Sequence, residues 1–144
     1  HGAGDDSHHW PWYEQNLIGV PFSHFPVTPQ FQQATVSLNQ IRDSTLTAGL
    51  PESWEHSDEW YVFTEQPSAR GYSVLFNIDG RSINPNGNVL WITGKDFGMG
   101  DSHPVAWYKK IGEGSTFYTS MGHEAKTWEQ PVYVQMITNA VGAK

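Results

Sequence analysis

Strand-length patterns outnumber helical ones in this chain by about six to two, and that imbalance limits what it can fold into. Ala34, Val36 and Leu38 alternate with Thr35 and Ser37, and Tyr72, Val74, Phe76 and Ile78 alternate again. Runs at Val89–Ile92, Val105–Tyr108 and Thr116–Met121, and a shorter one from about Glu59 to Phe63, also have strand length. Only two segments read as helix. In the first, Pro11 suits an opening turn, Trp10, Tyr13 and Leu17 form an i, i+3, i+7 stripe, and Gly19 supplies a stop, which predicts a helix over about 10–18. In the second, Tyr133, Met136, Ile137 and Ala140 share one face, and Pro131 is tolerable only in the first turn. A parallel sheet needs a crossover between neighbouring strands and helices over both faces. Either the domain is mainly antiparallel, or helices and strands belonging before His1 lie outside these residues.

The remaining segments read as connections. Residues 1–9 are small and polar, 20–33 carry Pro21, Pro26 and Pro29, Thr47–Pro51 is a turn, and the Asn-Gly pair in Asn84–Asn88 favours a hairpin reversal. Gly112 and Gly114 mark a further turn between two strands. With 144 residues and no repeat or linker, the chain is expected to form a single domain over 1–144. The absence of cysteine excludes a disulfide framework, a thiolate metal site and a cysteine nucleophile within these residues. A net charge of -7 with no basic stripe argues against a nucleic-acid partner. No apolar run approaches the roughly 20 residues that span a bilayer, so no membrane partner is expected. The chain reads as soluble, in either the cytoplasm or the periplasm. Seven Trp, six Tyr and seven Phe fit a ring-rich core, or flat apolar platforms for a sugar.

Three constellations could carry chemistry. His1, Asp5, Asp6, His8 and His9 share one glycine-containing loop, where imidazoles and carboxylates can hold zinc or another divalent ion, or act as an acid/base pair. The same loop also reads as a polar cap on helix 10–18. His123-Glu124 follows the strand Thr116–Met121, and ligands of open α/β sheets bind beyond the carboxyl ends of strands, with Gly122 allowing close backbone approach. In Asp58-Glu59-Trp60-Tyr61, strand alternation would send one carboxylate to solvent and the other inward, and Glu59 beside Tyr61 is expected to be the inward one. His103 reads as structural and His56 as exposed.

The stretch from His103-Pro-Val-Ala-Trp107 through Gly112, Gly114 and Phe117-Tyr118 to Met121-Gly-His123 and Trp128 resembles the ThuA-like (trehalose-utilisation) family. So do Trp10-Pro-Trp-Tyr-Glu14, Gly19, Phe22 with His24, Leu50-Pro51 and Asp58-Glu-Trp-Tyr61; the match spans essentially the whole chain. One departure is that Phe25 stands between His24 and Pro26, where the family tends to place histidine directly before proline. The resemblance implies an α/β fold: a flavodoxin- or class I glutamine-amidotransferase-like doubly wound sheet, truncated at the N-terminus, with additional antiparallel strands. His1-Gly2-Ala3 would be the tail of a glycine-rich strand end whose earlier part is removed. A truncated sheet would leave an uncovered face, and a homo-oligomer is expected to cover it.

By resemblance, His1 stands where amidotransferases carry their cysteine nucleophile, and His123 corresponds to their catalytic histidine. The chain is therefore not expected to be a functional glutamine amidotransferase. What the family implies is bacterial disaccharide use through oxidised, 3-keto sugars. The expected site pairs His1 with His123, with Asp5 and Glu59 nearby, and takes a small-molecule sugar against Trp10, Trp12, Tyr61, Trp107 and Gly122. Chemistry there would be acid/base, or metal-assisted with His1, His8 and His123 as ligands. A different class also fits: a non-catalytic carbohydrate-binding or oligomerising remnant of such a domain. A copper brace at His1 is a third reading, opposed by the continuous family resemblance.

Overall fold

The computed structural model describes residues 10–39, 45–85 and 99–143. Two sheets result, and among these residues every strand pairing is antiparallel. The larger sheet has the order β3-β2-β5-β6-β7, built from β2 (Gln32–Leu38), β3 (Ser53–Asp58), β5 (Ser73–Ile78), β6 (His103–Ile111) and β7 (Gly114–Thr119). The smaller pairs β1 (Phe22–His24) with β4 (Val62–Phe63). With its flanking helical segments the chain is a mixed α/β structure.

Burial follows position in the larger sheet. β2 alternates strictly, with Ala34 and Val36 buried and Thr35 and Ser37 exposed, so one face meets the core and the other meets water. His103 through Tyr108 are all buried in β6, which is covered on both faces. Two clusters provide that cover. The first packs Val36, Phe76, Ala106 and Met121 against Tyr133 and Met136 of α2 (Pro131–Gly142). Pro131 opens this helix, as its missing N–H requires, and Tyr133 and Met136 each contribute roughly 1.5–3 kcal/mol by burial. The second cluster packs Val74 and Trp107 against Ile18, Val20, Phe63 and Tyr72.

The first helical segment lies where the apolar stripe predicts it, but in two geometries: α1 (Pro11–Tyr13) runs into a π-helical turn over Glu14–Ile18. Gly19 closes it through N–H donation to the Glu14 carbonyl at 2.7 Å. β6 and β7 form the expected hairpin, with Ile111 opposite Gly114 and Gly112 at φ 59. Val89–Ile92 and the Asn86-Gly87 pair lie outside the described residues.

The pattern around residue 60 is corrected. Pairing of β3 with β2 stops at Asp58 opposite Gln32, and β4 begins at Val62, so Glu59–Tyr61 crosses between the two sheets. β3 itself, Ser-Trp-Glu-His-Ser-Asp, has too few apolar residues to announce a strand. No helix among the described residues is long and apolar enough to cross a membrane.

Candidate functional site: a histidine pinned over two buried carboxylates

Because the chain changes sheets after Asp58, simple alternation fails there and both acids turn inward. Asp58 and Glu59 are each wholly buried, so the expectation of one solvated carboxylate is overturned. Asp58 is satisfied from every side. Its Oδ2 accepts Gly122 N–H at 2.7 Å and His56 Nε2–H at 3.0 Å, and its Oδ1 accepts the N–H of Glu59 at 2.9 Å and of His123 at 3.3 Å. Burial pushes this carboxyl up, but the hydrogen bonds, led by His56, outweigh that and hold it below the usual aspartate range. His56 is buried rather than exposed, with Nδ1 3.1 Å from Gln130 Oε1 at the start of α2. Asp58 thus fastens the segment after β7 to the end of β3.

That fastening fixes where His123 emerges. Gly122 has φ 108, and a side chain there would run into the Tyr133 hydroxyl, which donates to the Met121 carbonyl at 3.1 Å. The glycine serves this packing as well as any approach by a ligand. The His123 imidazole is 40% exposed, with Nδ1 3.1 Å from Glu59 Oε2. Glu59 Oε1 accepts from Gln30 Nε2 at 2.6 Å, whereas Oε2 is buried without a well-aligned hydrogen bond, the imidazole approaching it off-line. Burial, and then the negative charge of Glu59, push the Tyr61 phenol up to about 12. Phe31 flanks the imidazole, ring centroids 5.5 Å apart. No hydrogen bond engages Nε2 of this 40% exposed imidazole among the described residues, which leaves it free to act as an acid, base or ligand.

The other expected residues fare differently. His1, Asp5 and His8 lie outside the described residues, and with them the pairing of His1 with His123 and the metal set His1, His8 and His123. Among the described residues no three His, Asp or Glu side chains form a metal-binding group. A divalent ion at His123 and Glu59 would therefore need a third donor from beyond them. Trp10 and Trp12 are 58% and 52% exposed, and Trp10 stacks on Tyr13 at 5.6 Å. Trp107 is corrected from sugar platform to core: it is wholly buried, donates through Nε1 to the Ile18 carbonyl at 2.6 Å, and stacks on Tyr118 at 4.4 Å. His103 is structural as expected, wholly buried with Nε2 2.7 Å from the Tyr61 carbonyl.

Sequence reasoning missed His56, Gln30 and Gln130 as parts of this site, and it named Asp58 but turned it to solvent. His56 and Asp58 at i and i+2 of one strand share a face, which is the signal that could have found them.

The fold and site define a mixed α/β domain that presents one histidine above buried carboxylates at a strand end. The family model for ThuA, described as trehalose utilisation, matches residues 1–142, and the chain belongs to that family. A solved ThuA-like protein from Bacteroides uniformis is similar at 22% identity and TM-score 0.67, over 97% of this chain and 53% of that one. Another, from Parabacteroides merdae, is similar at 20% identity and TM-score 0.56, over 85% of this chain and 41% of that one. The chain thus spans about half the length, or less, of these solved structures. Among curated proteins none matches it.

Proposed function

We propose that this is a sugar-metabolism domain acting on keto-disaccharides or related sugars by acid/base chemistry, with His123 as the proton-transferring group. The observation carrying the reading is the pairing of a half-exposed imidazole with a wholly buried carboxylate, His123 Nδ1 to Glu59 Oε2 at 3.1 Å. Glu59 favours the tautomer with its proton on Nδ1, leaving the Nε2 lone pair toward solvent. Nε2 would then remove a proton from the carbon beside a sugar carbonyl, the C–H electron pair moving into the enolate. A positioned imidazole contributes typically 10²–10⁴-fold to such a step. The test is deuterium wash-in beside the carbonyl of a 3-keto-disaccharide, followed by NMR. Exchange should occur with the wild-type protein and be lost in His123→Ala; equal exchange in both would sink the reading.

A second reading, a non-catalytic carbohydrate-binding module, draws support from the exposed indoles Trp10 and Trp12. Saturable disaccharide binding by calorimetry, with no exchange or turnover in the wild-type protein, would favour it.

A further inference from the structure

Trp128 combines two properties that a surface side chain seldom has together: it is 56% exposed, and it is held at two points. Its Nε1–H donates to the Gly122 carbonyl at 3.0 Å, and its ring meets Tyr133 edge-on, centroids 5.0 Å apart and planes at 75°. The short 3-10 turn that carries it, Ala125–Glu129, is set by the wholly buried Thr127. Leaving an indole face in water forgoes the stabilisation that burial would give. Here the ring is immobilised without that gain, one residue from the backbone of His123. Phe31, 36% exposed, stands against the imidazole with its ring tilted by 54°.

We propose that Trp128 and Phe31 form the stacking platform for a pyranose ring beside His123. A pyranose has an apolar face of axial C–H groups and a rim of hydroxyls, and it fits a flat ring whose surroundings supply polar atoms. His123 Nε2 is such an atom. Trp128 is held at the Gly122 carbonyl and Phe31 against the His123 imidazole, so the two rings flank one short segment, a surface far below the roughly 800 Å² per partner of a stable protein interface and better suited to a sugar. Prior immobilisation of the indole removes an ordering cost from binding. The inference rests on the sugar-directed reading above, and supplies the residues that hold the substrate while His123 acts on it.

Titration of the 15N-labelled protein with trehalose and with a 3-keto-disaccharide, read at the indole N–H resonances, tests it. The Trp128 signal should shift on binding. Trp128→Ala and Trp128→Leu should each weaken binding by about tenfold or more, since leucine keeps apolar bulk against Tyr133 without a flat face. Trp128→Phe should retain most of the affinity, Phe31→Ala should weaken it about threefold or more, and Val141→Ala, at the 83% exposed far end of α2, should leave it unchanged. His123→Ala should abolish exchange and weaken binding less than Trp128→Ala does. If the wild-type protein binds and exchanges while both Trp128→Ala and Trp128→Leu keep its affinity, the platform is overturned and the reading of His123 stands. If the wild-type protein neither binds nor exchanges either sugar, both fall.

Discussion

His56 and Asp58 project from the same face of β3 and meet at 3.0 Å between Nε2 and Oδ2, both side chains shut away from water. Since Asp58 also takes three backbone N–H groups, the pair joins three elements: the end of β3, the Gly122-His123 segment and, through Gln130, the start of α2. Removing the carboxylate leaves those donors buried and unmatched. Asp58→Ala should cost about 3–5 kcal/mol, seen as a lower urea midpoint at unchanged slope. A double-mutant cycle with His56→Ala should give a coupling of about 1 kcal/mol or more.

Glu59→Gln should separate chemistry from stability. It keeps the shape that meets Gln30 but removes the charge facing His123. Exchange should fall by about tenfold or more, while the melting temperature holds or rises because a buried charge becomes neutral. A collapse of stability with activity retained would contradict this division.

Acid should destabilise the protein in two stages. Burial lowers the His103 imidazole to about 4. The unfolded chain therefore binds the extra proton first, and stability falls as pH drops from about 6.5 to about 4, by up to about 3 kcal/mol. Asp58, held below the usual aspartate range, adds a loss only below that range, as its carboxylate is protonated. Burial lowers the His24 imidazole as well, so unfolding free energies of wild type and His103→Gln across this range check the His103 share of the first stage, the part the variant should lack.

Gly122→Ala should be far worse than Gly112→Ala. Both glycines have positive φ, at 108 and 59, but only at Gly122 would the new methyl meet another group, the Tyr133 hydroxyl; at Gly112 there is open space. The hairpin variant should lose about 1 kcal/mol, and the Gly122 variant about 3 kcal/mol or more, along with the position of His123. Melting curves and the His123 NMR signals measure the two effects.

Trp107→Phe should behave as a core substitution. Losing the bond to the Ile18 carbonyl and part of the stack on Tyr118 should cost about 2–4 kcal/mol, with sugar affinity unchanged.

What the sequence disclosed follows from how locally each feature is determined. Phe76, Ile78 and Tyr133 lie in regular elements whose spacing gives their burial, and Gly112 marks its hairpin directly, whereas a register shift in β5 sends Val74 to the second cluster and leaves Leu75 buried too, which alternation does not foresee. His123 is recognisable from its place after a strand. Glu59 was expected to face inward, and it does. The strand Ser53–Asp58 escaped notice because most of its side chains are polar, its identity coming from pairing with β2. Asp58 and His56 were misread for one reason: their partners, Gly122, His123 and Gln130, lie more than sixty positions away along the chain. Trp107 was misassigned because a tryptophan that closes a core and one that receives a sugar look alike until burial separates them.

Asp58 and Glu59 are adjacent and alike in charge, yet one anchors the backbone and the other faces an imidazole. Aspartate's short arm is what lets its carboxylate sit among three main-chain amides, while glutamate's extra methylene carries the next one out to the imidazole. Substitution tables that treat the two acids as interchangeable would miss this. Exchanging the two in this chain would leave the backbone amides and the imidazole each facing a carboxylate on an arm of the wrong length.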